Sequence, residues 1–312
     1  MEYVQLGNTG MKVSRISFGA SSLGSVFRKT DDASSIEAVH SAMELGINYF
    51  DVAPAYGATK AEQVLGMALK GIARNQYYIS TKVGKNTSTD GYGKDSFDYS
   101  SAGILKSLEQ SAQRLGVHYF DVVHLHDIEY NNRKNTEWAL EEGLHTLFTL
   151  KKQGSIGAVG IGMYPVDLWK RVLEDGIIDV GLSHNLYCLN DNRLLELLPL
   201  AESKRIGLIN ASPFASGLLT TRGAPKWHPA TKQQRAVFSR AASYCEKNNT
   251  TIEQLAFQFS CSHPDIATTM FSSADPHSVQ RNIAWSQLPL NQEILERVQQ
   301  LLKPVSNQNW NY

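Results

Sequence analysis

Cysteine is scarce in this 312-residue chain: three residues, Cys188, Cys245 and Cys261, odd in number and far apart. That spacing fits neither a disulfide framework nor a cysteine-based metal motif. Free thiols belong in a reducing compartment, so the cytoplasm is the expected location. Net charge is lacking too: 30 Lys and Arg balance 30 Asp and Glu. A neutral chain offers no electrostatic footing for nucleic acid or an anionic membrane surface. No apolar run approaches the ~18 residues that a membrane span needs. The opening residues Met1-Glu2-Tyr3-Val4-Gln5 lack the basic and apolar regions of a secretion signal. What is present is 42% hydrophobic residues, ordinary for a globular protein. The length suits two average domains or one α/β barrel, and no linker-like composition divides residues 1–312.

Short β-branched runs alternate with longer helix-patterned runs. Strands are expected at 13–19, 49–53, 78–83, 121–126, 158–162, 180–185, 207–212 and 266–271. Their near-continuous apolar character suits strands covered on both faces. Eight in succession, each followed by a helix, predict a closed parallel (β/α)8 barrel. Helical period supports this. Ile36, Val39 and Met43 form one stripe; Ile104, Leu108, Ser111 and Leu115 form another. Asp31 or Asp32 is expected to cap the first helix, and Gly46 to end it. Val64, Leu65 and Leu69 mark a second helix at 61–69, and 292–302 reads as an extra helix after the eighth unit.

Residues 1–12 read as a hairpin turning at Gly7-Asn8-Thr9-Gly10, placed to plug the N-terminal mouth of the barrel. Residues 84–100 and 213–231 are long polar loops. Both follow strands, so both belong at the C-terminal face, where barrel enzymes carry their chemistry.

Four residues give that face a function. Asp51 ends the second strand, Tyr56 follows in a Pro- and Gly-containing turn, Lys82 ends the third strand, and His126 ends the fourth. An ammonium beside a phenol favours the phenolate, and a carboxylate beside the ammonium holds it in place. With a histidine to orient an oxygen, the group is an acid/base device for a carbonyl or alcohol. None of the four can carry a hydride, so a nicotinamide cofactor is required. His124 and His126 share one side of their strand, as metal ligands do in hydrolase barrels. His184 is the one further ligand in sight, so His124 is read as an interior residue and no metal is expected.

These residues resemble the aldo-keto reductases over nearly the whole chain. Leu6-Gly7-Asn8-Thr9-Gly10-Met11-Lys12 resembles the family's opening hairpin; Asp51, Tyr56, Lys82 and His126 match its catalytic tetrad. Ser212-Pro213-Phe214-Ala215-Ser216-Gly217-Leu218-Leu219-Thr220 is similar to its cofactor-straddling loop. Within the family the chain is most similar to the L-galactose dehydrogenase group, with its L-fucose, D-arabinose and pyridoxal dehydrogenases. Three stretches carry this: Phe18-Gly19-Ala20-Ser21-Ser22-Leu23-Gly24-Ser25-Val26-Phe27, His124-Leu125-His126-Asp127-Ile128-Glu129, and Ala211-Ser212-Pro213 through Pro225-Lys226-Trp227-His228-Pro229-Ala230.

The resemblance implies NAD-dependent oxidation of an aldose at its anomeric carbon to the lactone. It implies a cofactor site of Gly19, Ser212, Pro213, Phe214, Ser216, Gly217, Leu219, Ser272, Ser278 and Asn282. Ser183 and Asn185 are the two candidates for the family's strand-six Gln, while Gly162 and Met163 stand where many members have Ser-Asn. Ser272 and Ala274 stand where NADP-using members have Gly and a phosphate-gripping Arg, which favours NAD over NADP; Arg281 lies close in sequence. Trp227, His228 and the 84–100 loop are expected to wall the substrate. The alternatives are an NADPH-dependent reductase of aldehydes and ketones and a non-catalytic nucleotide-binding barrel. The expected partner is a small sugar or carbonyl compound, for a monomer or weak homo-oligomer.

Overall fold

The computed structural model describes residues 1–87 and 95–310. Eight parallel strands close into a barrel in chain order: β3 (Ile16–Gly19), β4 (Tyr49–Asp51), β5 (Tyr78–Val83), β8 (Phe120–His126), β9 (Ile156–Met163), β10 (Val180–His184), β11 (Gly207–Ala211) and β12 (Thr268–Phe271), with β12 returning to β3. Helices cover its outside, and buried Trp169, Phe50, Phe257 and Leu65 sit between the layers. This is the (β/α)8 architecture that the alternation of patterns predicts.

The N-terminal hairpin is β1 (Tyr3–Gln5) with β2 (Lys12–Ser14), so the first expected strand is in fact two. Arg15 makes the corner. Its amide donates to the Glu2 carbonyl at 3.0 Å, and its guanidinium donates to the Pro264 and Ile266 carbonyls at 2.8 Å each. Hence Val13 packs in the plug, and the barrel strand starts only at Ile16. Leu6, Met11 and Val13 join Tyr49, Val122, Val180 and Ile209 in one apolar cluster that fills the N-terminal end of the barrel. Chemistry is thereby confined to the other end.

The first helix, Asp32–Glu44, is capped by Asp31, whose carboxylate accepts from the Ser34 amide at 2.8 Å. The helices Lys60–Leu69, Ser101–Leu115 and Gln292–Leu302 lie where the apolar stripes put them. The 84–100 stretch is more regular than a polar loop: β6 (Lys85–Thr87) pairs antiparallel with β7 (Asp95–Phe97). Residues 88–94 of that stretch lie outside the described residues. The three cysteines are free, and burial pushes the Cys245 thiol up to about 11 and the Cys261 thiol up to about 12. Among the described residues no helix is long and apolar enough to cross a membrane.

Inside the barrel, β9 supplies glycine where its neighbours supply bulk. Gly160 lies in register with His124, and a Cβ at Gly160 would sit 2.2 Å from His124 Nδ1 and 2.9 Å from the Val180 carbonyl oxygen. His124 is therefore a core residue packed against missing side-chain volume, fully buried, with its ring held neutral by that burial. Overpacking of this kind costs about 1–3 kcal/mol. Gly160→Ala is expected to lower the denaturant midpoint accordingly, and His124→Ala in the same chain to relieve part of the strain. An unchanged midpoint in Gly160→Ala would contradict this packing.

Candidate active site

The C-terminal ends of all eight barrel strands open into one cavity of about 730 Å³. Gly19, Asp51, Lys82, His126, Gly162, His184, Ala211 and Phe271, each at or next to the end of its strand, line it. Each strand delivers at least one group because all eight run parallel and finish together.

Four of the lining residues meet at the inner end. The Lys82 ammonium donates to Asp51 Oδ2 and, at 3.1 Å, to the Val52 carbonyl. Ser80 Oγ donates to Asp51 Oδ1 at 2.7 Å, so both carboxylate oxygens are engaged. Burial pushes the Asp51 carboxyl above its ordinary value, while Lys82 and Ser80 pull it back. Lys82 Nζ lies 4.8 Å from the centre of the Tyr56 ring, within cation–π range. His126 meets the same ring edge-on at 5.7 Å. Thus Asp51, Lys82, Tyr56 and His126, scattered over 76 residues of sequence from 51 to 126, form one group.

The turn carrying Tyr56 makes a close backbone contact with the turn after β3. Gly57 takes a left-handed φ of 64°, and a Cβ there would meet the Gly24 carbonyl oxygen at 1.9 Å. Only glycine permits both the conformation and the approach. The short turn Ser21–Gly24 after β3 therefore clamps the turn after β4, which fixes the Tyr56 ring over Lys82.

His126 is neutral: burial pushes its imidazole down to about 3, despite Asp127 nearby. Asp127 Oδ2 lies 3.6 Å from His126 Nε2 and 2.7 Å from Lys85 Nζ. Lys85 also pairs with Asp95 at 3.2 Å and sits 3.9 Å over the Tyr130 ring. Lys85, Asp127, Tyr130 and His184 all line the cavity; Lys85 belongs to the 84–100 loop expected to wall the substrate, while Asp127, Tyr130 and His184 were not expected as site residues. Asp127 stood in a quoted motif, but nothing in a linear pattern says that its side chain turns back toward His126.

The long arm of the cavity runs from this group toward the helix Pro276–Ser286. Of the residues expected at the cofactor, Gly19, Ser212, Pro213, Phe214, Ser216, Gly217, Ser272, Ser278 and Asn282 line it. Ser183, Asn185 and Leu219 are buried behind its wall. Asn185 supports the wall, donating from Nδ2 to Ser216 Oγ at 3.1 Å. The 212–217 segment contains four left-handed residues, Ser212, Ala215, Ser216 and Gly217, and folds back on itself, the Ala215 and Gly217 amides donating to the Ser212 and Phe214 carbonyls at 2.9 Å each. Trp227 lines the mouth and packs on Phe27 at 6.1 Å. His228 does not reach the cavity: it is buried against Trp310 at 5.0 Å, its Nδ1 accepting from the Ala230 amide.

Size, a polar lining from 212–217 to Asn282 and glycines at the inner end together fit a dinucleotide with a flat ring beside Tyr56. Gly19 and Gly162 would flank the ring, 212–217 would hold the pyrophosphate, and Ser278 and Asn282 would face the adenosine half. At that far end Asp275 lines the cavity, a residue that sequence reasoning missed. Burial raises its carboxyl, but bonds from Ser278 Oγ and the His277 amide outweigh this and hold it below the ordinary value. Arg281 donates to Ser278 Oγ at 3.1 Å and lies 5.1 Å over the Trp285 ring.

One further acid, half-buried, lies beside the site. Glu129 Oε1 accepts from the Tyr164 amide at 2.9 Å, and burial together with the Asp127 charge pushes its carboxyl up to about 8. The unfolded chain releases this proton in the ordinary carboxylate range, so stability falls as pH rises from there through about 8. Glu129→Gln keeps the oxygen that Tyr164 needs and removes the titration. Its melting temperature should match the wild type near pH 5 and exceed it by about 2–4 °C or more at pH 9. A constant difference across that range would contradict the assignment.

Comparison with known proteins agrees with this geometry. The aldo/keto reductase family model matches residues 15–303. The L-galactose dehydrogenase of Arabidopsis thaliana is 37% identical, covering 99% of this chain and 97% of that protein. The D-arabinose 1-dehydrogenase of Saccharomyces cerevisiae is 32% identical over 75% of this chain and 71% of that protein. Among solved structures, the holo form of an aldo-keto reductase from Bacillus halodurans superimposes with a TM-score of 0.80 at 26% identity, covering all of both chains. A parallel barrel with an Asp-Tyr-Lys-His group at its open end, matched along nearly its whole length, places this chain in the aldo/keto reductase family.

Proposed function

We propose that the protein is an NAD-dependent sugar dehydrogenase that oxidises an aldose of the L-galactose type at its anomeric carbon to the lactone, acting as one catalytic domain in the cytoplasm. The observation that carries this is the convergence of Asp51, Lys82, Tyr56 and His126 at the inner end of a cavity long enough for a dinucleotide. The 37% identity to L-galactose dehydrogenase over nearly all of both chains supports the substrate class.

The chain's own residues divide the work. Lys82, anchored by Asp51, holds positive charge under the Tyr56 ring and favours its phenolate. Tyr56 takes the proton of the anomeric hydroxyl as a general base. Neutral His126 donates a hydrogen bond to the same oxygen and fixes its direction. A bound nicotinamide supplies the hydride acceptor. Walls of Phe27 and Trp227 offer apolar faces for a sugar ring and keep water out.

Asp275 supports NAD over NADP. A carboxylate at the adenosine end accepts from a ribose hydroxyl and repels a 2′-phosphate. Arg281 speaks for the second reading, an NADPH-using reductase with the same group run backward, because its guanidinium stands at that end. Fluorescence titration separates the two: NAD⁺ should bind at least ten times more tightly than NADP⁺, and the reverse order would overturn the NAD assignment. With NAD⁺ and a panel of L-galactose, L-fucose, D-arabinose and pyridoxal, an aldose should give the highest kcat/KM. Tyr56→Phe should lower kcat by about 10²–10⁴, the usual worth of a general base, with NAD⁺ affinity retained. Turnover unchanged by that substitution would remove the catalytic assignment.

A further inference from the structure

The cavity carries charge that hydride transfer does not need. Asp127 follows the last residue of β8, and in a continued strand its side chain would point away from that of His126. Instead Asp127 takes a left-handed φ of 51°, with its amide donating to the Gly162 carbonyl at 2.9 Å. Asp tolerates that conformation better than most residues, but it is still strained. The result is a carboxylate turned back into the cavity beside the catalytic imidazole, 3.6 Å from its Nε2. Lys85, itself on the cavity wall, anchors the same Oδ2 at 2.7 Å.

We propose that Asp127 grips the hydroxyl on the carbon next to the reacting one, and so selects α-hydroxylated carbonyl compounds and their hemiacetals over unhydroxylated aldehydes. The inference deepens the oxidoreductase assignment above and rests on it. A neighbouring donor and acceptor of this spacing match two oxygens on adjacent carbons. The reacting oxygen accepts from His126, and its neighbour donates to Asp127. Burial raises the Asp127 carboxyl, but Lys85, with the His126 and His184 imidazoles, more than offsets this and holds it below its ordinary value, so the contact is charge-assisted and stronger than a neutral one. A substrate lacking that hydroxyl leaves a desolvated carboxylate with a lost partner. Sites built to bond a hydroxyl reject analogues without it strongly, by factors up to about 10⁴–10⁵. Asp127 thus acts on specificity, with Lys85 as its positioning residue.

The test is a cycle of two enzymes and two sugars. Wild type and Asp127→Asn are each assayed with NAD⁺ on L-galactose and on 2-deoxy-L-galactose. Wild type should prefer the parent sugar by at least about 100-fold in kcat/KM. In Asp127→Asn that preference should fall below about tenfold, with the parent's loss lying chiefly in KM. A preference kept above about 100-fold in the variant overturns the proposal, and so does a wild-type preference below about tenfold. Retained NAD⁺ binding shows that the variant is folded; if it is not, the wild-type ratio decides alone. If the wild type oxidises no aldose, the dehydrogenase assignment has failed separately. The same cycle then runs with NADPH on glycolaldehyde and acetaldehyde, where loss of the hydroxylated aldehyde's advantage in the variant supports the role and its persistence overturns it.

Discussion

The site depends on one buried ion pair, Lys82 with Asp51. The two side chains are 1% and 2% exposed, and a pair so placed has given up nearly all its hydration. Such pairs are weak sources of stability, because desolvation offsets most of the attraction. Here both carboxylate oxygens are engaged: Ser80 donates to the second one, and the Val52 carbonyl takes a second proton from the ammonium. The pair's value lies in placing one fixed positive charge under the Tyr56 ring. Everything else at the inner end is arranged around that charge.

Burial sorts the neighbouring titratable groups into different states. His126 is kept neutral and His124 likewise, while Asp127 stays ionised through Lys85 and Glu129 keeps its proton near neutrality. Environments that push neighbouring groups apart in this way separate proton donors from acceptors. The inner end of the cavity thus holds a neutral imidazole beside a carboxylate, and a phenol over an ammonium, the set on which the proposed acid/base role rests. Apolar aromatic walls complete it.

Much of this was legible in the sequence, for physical reasons. Parallel strands covered on both faces must be apolar throughout, so all eight stood out; Asp51, Lys82 and His126 fell at strand ends facing the open mouth, and Tyr56 in the turn just after one. What escaped depends on conformation rather than on pattern. Arg15 splits the first strand because its backbone and guanidinium find partners in Glu2, Pro264 and Ile266. Asp127 faces the site only because one residue is left-handed. His228 reads as a loop residue free to touch substrate, yet the chain's last turn brings Trp310 against it. Ser183, Asn185 and Leu219 carry the right spacing but stand behind the wall. Their neighbours Leu182 and His184 line the cavity instead.

The central claim is that the Lys82 charge makes Tyr56 a base. The most direct measurement is the pH dependence of kcat for aldose oxidation in the wild type and in Lys82→Met, whose side chain keeps the bulk without the charge. The account predicts that the limb on which activity rises with pH moves to higher pH in the variant, toward the ordinary phenol value of ~10. A limb that stays in place while kcat falls would contradict it.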